Sequence, residues 1–77
     1  MTNFKMYKFE IIEVIIKALD FKTKEEVIRL AKKMLDIANS NKSYSKEIKG
    51  AFKEAYEEII SEDLTLDNLY EIKKLLN

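Results

Sequence analysis

Charges in the stretch Phe9–Leu19, FEIIEVIIKAL, recur at Glu10, Glu13 and Lys17, in steps of three and four. At about 100° per residue these steps, with Asp20 just beyond, keep the charges on one narrow stripe of a helix, whereas a half-buried strand would step by two. The spacing therefore outweighs the strand propensity of the β-branched run Ile11–Ile16. Ile11, Ile12, Val14, Ile15, Ile16, Ala18 and Leu19 fill the remaining surface. That is about twice the apolar width of roughly 100° that an ordinary surface helix needs. Such a helix, expected over about 8–20, must be covered on several sides, by other helices of the chain or by a second molecule. Phe4, Met6 and Tyr7 ahead of it are further core candidates. Lys8 falls on the apolar side when the phase is continued backwards, so either the helix starts near it or its stem carries the charge out to solvent.

Thr23-Lys24-Glu25-Glu26 has the form of a capping box, in which the Thr23 hydroxyl accepts the Glu26 amide and the Glu26 carboxylate accepts the Thr23 amide. A second helix follows, over about 24–39. Val27, Ile28, Leu30, Ala31, Met34, Leu35, Ile37 and Ala38 take one half of its circumference, and Glu25, Arg29, Lys32, Lys33 and Asp36 the other. Asn39-Ser40-Asn41-Lys42-Ser43 breaks it, with Asn39 or Asn41 suited to a left-handed terminal conformation. Ser45 then caps a third helix over about 46–60. Its inner face carries Ile48, Ala51, Phe52, Ala55, Ile59 and Ile60, with Tyr56 at the edge. Thr65 caps a fourth over about 66–76, with Leu64 and Leu69 at the two positions of a hydrophobic staple. Leu66, Leu69, Ile72, Leu75 and Leu76 form its apolar side, Asp67 suits its first turn, and Lys73-Lys74 suit its end.

Four amphipathic segments joined by short polar breaks predict an all-α fold, an antiparallel four-helix bundle, with an irregular orthogonal packing as the alternative. The 77 residues make a single helical domain, 1–77, with room for one modest core. The absence of Pro and the single Gly, Gly50, weigh against a sheet protein rich in tight turns. With three further helices available, cover from within the chain explains Phe9–Leu19 better than a dimer seam, and both a monomer and a homodimer stay open.

Charge narrows the partners. Fourteen Lys+Arg balance 14 Asp+Glu, so no net field draws the chain to nucleic acid or an anionic membrane. The break at 39–44 is longer than a helix-turn-helix turn, and acid lies where phosphates would sit, so no nucleic-acid partner is expected. The apolar run is too short and too interrupted for a transmembrane segment, and two glutamates inside it spoil a signal peptide. With zero cysteines as well, a cytoplasmic protein is expected. Locally, Arg29, Lys32, Lys33, Lys42, Lys46, Lys49 and Lys53 give way to Glu54, Glu57, Glu58, Glu62, Asp63, Asp67 and Glu71. The third helix is thus basic early and acidic late, against its dipole, at about a few tenths of a kcal/mol per charge. Solvated charges, partly paired as Lys53 with Glu57, are the plain explanation; a partner of opposite charge is the sharper one.

Chemistry is sparse. Without His or Cys there is no imidazole base, thiolate or ordinary zinc site, and there is no glycine-rich phosphate loop. Glu10/Glu13 and Glu54/Glu57/Glu58 face outward, unlike the inward carboxylates of di-iron bundles. No enzymatic activity and no cofactor are expected. Gly50 sits at helical phase beside Lys46, Lys53 and Glu57, where it costs about 1 kcal/mol relative to Ala. It is a tolerated surface residue or a point of close approach for a partner. Tyr44, Tyr56 and Tyr70 complete the core or anchor an interface.

NKSYSKEIKGAFKEAYEEI, a break, then LTLDNLYEIKKLL resembles the second half of the enterocin A-type, class II bacteriocin immunity proteins. Tyr44 before the third helix, the Ile48/Phe52/Ile59 face and the Leu64-Thr65 start of the last helix carry the resemblance. It implies a small cytosolic antiparallel four-helix bundle that protects its producer without enzymatic activity. Such a protein engages a membrane receptor, or the bacteriocin–receptor complex, from the cytoplasmic side and is to that extent membrane-associated. The contact is then expected around Lys49, Lys53, Tyr56, Glu57 and Tyr70. Two other readings differ in class. One is a small phage- or plasmid-encoded inhibitor binding a host protein through the acidic 54–71 surface, and the other a homodimeric helical interaction module.

Overall fold

Three helices begin where a side chain takes up their free amides. In the computed structural model, which describes residues 4–76 and side chains from Tyr7 onward, the helices are α1 (Phe4–Ala18), α2 (Lys24–Ser40), α3 (Lys46–Ile60) and α4 (Leu66–Leu76). At α2 the capping box closes in both directions: the Glu26 amide donates to Thr23 Oγ1 at 3.4 Å and the Thr23 amide to Glu26 Oε1 at 3.2 Å. Ser45 Oγ accepts the Ile48 amide at the start of α3. At α4, Thr65 Oγ1 accepts the Asn68 amide at 3.2 Å, while Asn68 Oδ1 accepts the Thr65 amide at 3.1 Å. Asn68 therefore does what Glu26 does at α2, with a shorter side chain.

Glu26 also accepts the Lys22 amide, at 3.1 Å. That bond, and then those from Thr23, hold its carboxyl below the usual carboxylate range. Because the folded value is depressed, the stabilisation is complete above the ordinary carboxylate pKa of about 4.3 and disappears as pH falls through the lower folded value. Thermal melts of wild type and Glu26→Gln at about pH 7 and about pH 2.5 test this. The wild type should lose more of its Tm on acidification, since the amide cannot titrate; parallel losses would remove Glu26 from the acid response.

α1 starts before the expected boundary and ends sooner. Lys8 is inside the helix: its side chain is 19% exposed, and Nζ reaches Glu58 Oε2 of α3 at 3.6 Å and lies 5.0 Å from the Phe9 ring centroid. The stem lies along apolar surface, as the second alternative for Lys8 has it, but the charge is met by Glu58 rather than by solvent alone. Phe4 and Met6, expected to add to the core, have side chains outside the described residues, and Tyr7 is 41% exposed.

One core cluster joins Ile12, Ile15 and Ile16 of α1 with Phe21, Val27, Ala31, Ala55, Ile59 and Leu69. α1 packs against all three other helices, α2 packs closely on α3, and α4 lies on α1. The buried alanines Ala31 and Ala38 of α2 and Ala51 and Ala55 of α3 leave little side chain between that pair, which lets the backbones approach. The radius of gyration, 12.3 Å, is near the roughly 11.5 Å of a compact chain of this length. The result is an all-α four-helix bundle.

Several apolar positions assigned inward face out: Ile37 at 64% exposure, Ile60 at 43% and Leu75 at 86%. Each lies about 100° or more around its helix from the buried line, so a helix half that is apolar in composition is only partly covered. The end of α2 also differs. Asn41 has φ −87° and ψ 109°, and no non-glycine residue among those described has positive φ. No left-handed cap is needed, because the Asn41 amide bonds to Ala38 O and Asn41 Oδ1 accepts the Ser43 amide at 2.9 Å.

Candidate functional site

Lys49, Lys53 and Glu57 follow one another at steps of four along the outside of α3, with Lys53 and Glu57 exposed and Lys49 half-buried. Gly50 lies among them, half-buried within the helix. Among the described residues the ion pairs are Lys8–Glu58 and Lys32–Asp36; Lys53 and Glu57 stand apart, against the expectation that they pair. Both charges of that strip remain open to another molecule.

The two tyrosines of the expected contact are held by the protein itself. Tyr56 packs against the core cluster. Tyr70 stacks on Phe21 with ring centroids 5.1 Å apart and planes within 6°. Its hydroxyl donates to the carbonyls of Phe21 and Lys22, at 3.2 and 3.3 Å. Tyr70 is still 41% exposed, so one face closes the core and the other meets solvent. The five residues do not form one continuous helix–helix face, since α3 and α4 make no extended contact with each other. Tyr44, ahead of α3, stacks on Phe52 at 6.2 Å and 3°, which fixes how the chain enters that helix.

Phe21 and Lys24, given no such role in the sequence, and Lys73, assigned there to the end of its own helix, hold the connections in place. Phe21 is 2% exposed and sits in the core between two charged neighbours. Lys73 Nζ donates to Leu19 O at 2.6 Å and lies 5.4 Å from the Phe21 ring. It serves the end of α1 rather than that of its own helix, supplying a cation where free carbonyls gather. Lys24 Nζ likewise donates to Ser61 O, the C-cap of α3, at 2.6 Å. This answers the unfavourable charge order of α3, because the cation its C-terminus lacks arrives from the first residue of α2.

Glu54, Glu57, Glu62, Asp63, Asp67 and Glu71 are exposed, while Glu58 is half-buried and paired. Depressions lined by Tyr70, Glu71, Lys73 and Lys74, and by Leu19, Glu26, Arg29, Leu30 and Lys33, are open to solvent. Among the described residues no polar or charged side chain is buried, and no group of three acidic, His or Cys residues is placed to hold a metal ion. Among them, too, no helix is long and apolar enough to cross a membrane.

Fold and surface together define a small all-α four-helix protein in which, among the described residues, the ionisable groups lie outside the core. No family model, no curated protein and no solved structure matches the chain.

Proposed function

We propose that this protein is a non-enzymatic immunity protein of the class II bacteriocin type. It would protect its producer by binding a membrane receptor, or the bacteriocin–receptor complex, on the cytoplasmic side. The observation that carries the reading is the outer strip of α3, where Lys49, Lys53 and Glu57 run past Gly50 with no internal ion pair between Lys53 and Glu57. Supporting it are the four-helix architecture and the Tyr44–Phe52 stack at the head of α3, the latter on the stretch that carries the resemblance. An outer surface that carries exposed charge suits a binding role. Expression of the chain in a bacteriocin-sensitive strain, challenged with a panel of class II bacteriocins, tests the proposal. Survival against at least one member is expected, and Lys53→Glu with Glu57→Lys should remove it while leaving the circular dichroism spectrum unchanged. Sensitivity to every member would sink the reading.

The exposed acids between Glu54 and Glu71 favour a second reading, an inhibitor that occupies the basic groove of a nucleic-acid-binding host protein. Its partner should be released by added salt, because exposed charges are screened beyond about 8–10 Å at physiological ionic strength. Capture that withstands salt counts against it.

A further inference from the structure

The three other helices leave one edge of α1 open. Tyr7 is 41% and Val14 56% exposed, Ala18 is exposed, and Ile11 is half-buried. At about 100° per residue these four fall within roughly 60° of one another. Their spacing of four, three and four is that of a coiled-coil seam. One flank carries Glu10 and Lys17, seven residues apart, exposed and, among the described residues, without an ion pair.

We propose that this edge is a self-complementary seam on which a second copy of the chain packs, with the two α1 helices antiparallel about a two-fold axis. The occupant follows from complementarity in both size and charge. An isologous contact needs a patch that matches its own inverted image. Antiparallel pairing sets Tyr7 against Ala18 of the second copy and Ile11 against Val14, so the largest side chain meets the smallest and the two aliphatic residues meet each other. In the same register Glu10 faces Lys17 of the second copy, and the two-fold axis makes that pair twice. A parallel pairing would oppose Tyr7 to Tyr7 and Ala18 to Ala18, leaving a gap at one end and no partner for either charge. A seam of about three turns is well under the roughly 800 Å² per partner of a standard interface, so the dimer is weak and concentration-dependent. The proposal stands apart from the immunity reading, and neither depends on the other.

Sedimentation equilibrium from about 20 µM to about 1 mM reads the association, at which affinities correspond to weak complexes. The wild type should pass from monomer toward dimer, and Val14→Glu should stay monomeric with an unchanged circular dichroism spectrum. Lys17→Glu turns two attractive pairs into two repulsive ones and should weaken association about tenfold. Glu10→Lys combined with Lys17→Glu restores the pairs in reverse and should return it to within about threefold of wild type. All substituted positions are exposed, so folding is retained. A wild type monomeric at about 1 mM would overturn the proposal, as would association indifferent to Val14→Glu. A double swap no stronger than Lys17→Glu alone would overturn the antiparallel register.

Discussion

Ile15→Asp is expected to abolish the fold: far-UV circular dichroism should lose its helical signal and amide chemical-shift dispersion should collapse. Ile15 is 1% exposed and sits in the cluster with Ile16, Ile59 and Leu69. A carboxylate there must be buried unpaired, or be protonated at a large shift in its pKa; either way several kcal/mol are lost. A single core in a chain this short supplies no more than about 3–5 kcal/mol of net stability. The loss thus meets or exceeds the whole stability. Val14, next in sequence, is the control: at 56% exposure, Val14→Asp should leave the spectrum unchanged. Retained helices in Ile15→Asp, with only the state of association altered, would move Ile15 from the core to an interface.

That pair of neighbours marks what the sequence reveals and what it withholds. Periodicity identifies apolar positions on α1, and Ile12, Ile15 and Ile16 are indeed buried. It does not tell how many partners arrive or from which side, so Val14 and Phe9, equally apolar, are half-exposed or more, at 56% and 50%. The limits of α2, α3 and α4 were legible because an N-cap acts within three residues of itself, as Thr23, Ser45 and Thr65 do. At the start of α1 no cap was read in the sequence, and a lysine among apolar residues looked like a boundary until Glu58 supplied its partner.

The candidate surface divides in the same way. Lys49, Lys53 and Glu57 share the outside of α3 by helical phase alone, which residue spacing reveals. The setting of Tyr70 depends on Phe21, and the roles of Lys24 and Lys73 depend on carbonyls far along the chain. Such contacts leave no local pattern. Lys73 was read as a charge belonging to its own helix and Lys24 only as a position in the capping box, although each neutralises the end of another helix.

Leu69→Ala should release α4 before the rest of the bundle opens. α4 has 11 residues, fewer than the roughly 12–15 at which an isolated helix becomes even marginally stable. Its helical state therefore depends on docking, and Leu69, fully buried, is its one fully enclosed side chain. Truncation to alanine removes about 2–5 kcal/mol through lost burial and the cavity left behind. Tyr70→Phe, which removes one hydroxyl shared between two carbonyls of a partly exposed loop, should cost only about 1 kcal/mol. In amide hydrogen exchange, residues 66–76 of Leu69→Ala should lose protection well ahead of α3, because Ile59, Ala51 and Ala55 still pack against α1 and α2. Equal loss of protection across all four helices would mean that α4 is part of one cooperative unit. The variant also separates the two halves of the proposed contact, since α3 keeps Lys49, Lys53 and Glu57 while Tyr70 leaves with α4. Protection that survives Leu69→Ala but not the Lys53→Glu, Glu57→Lys reversal would assign recognition to α3 alone.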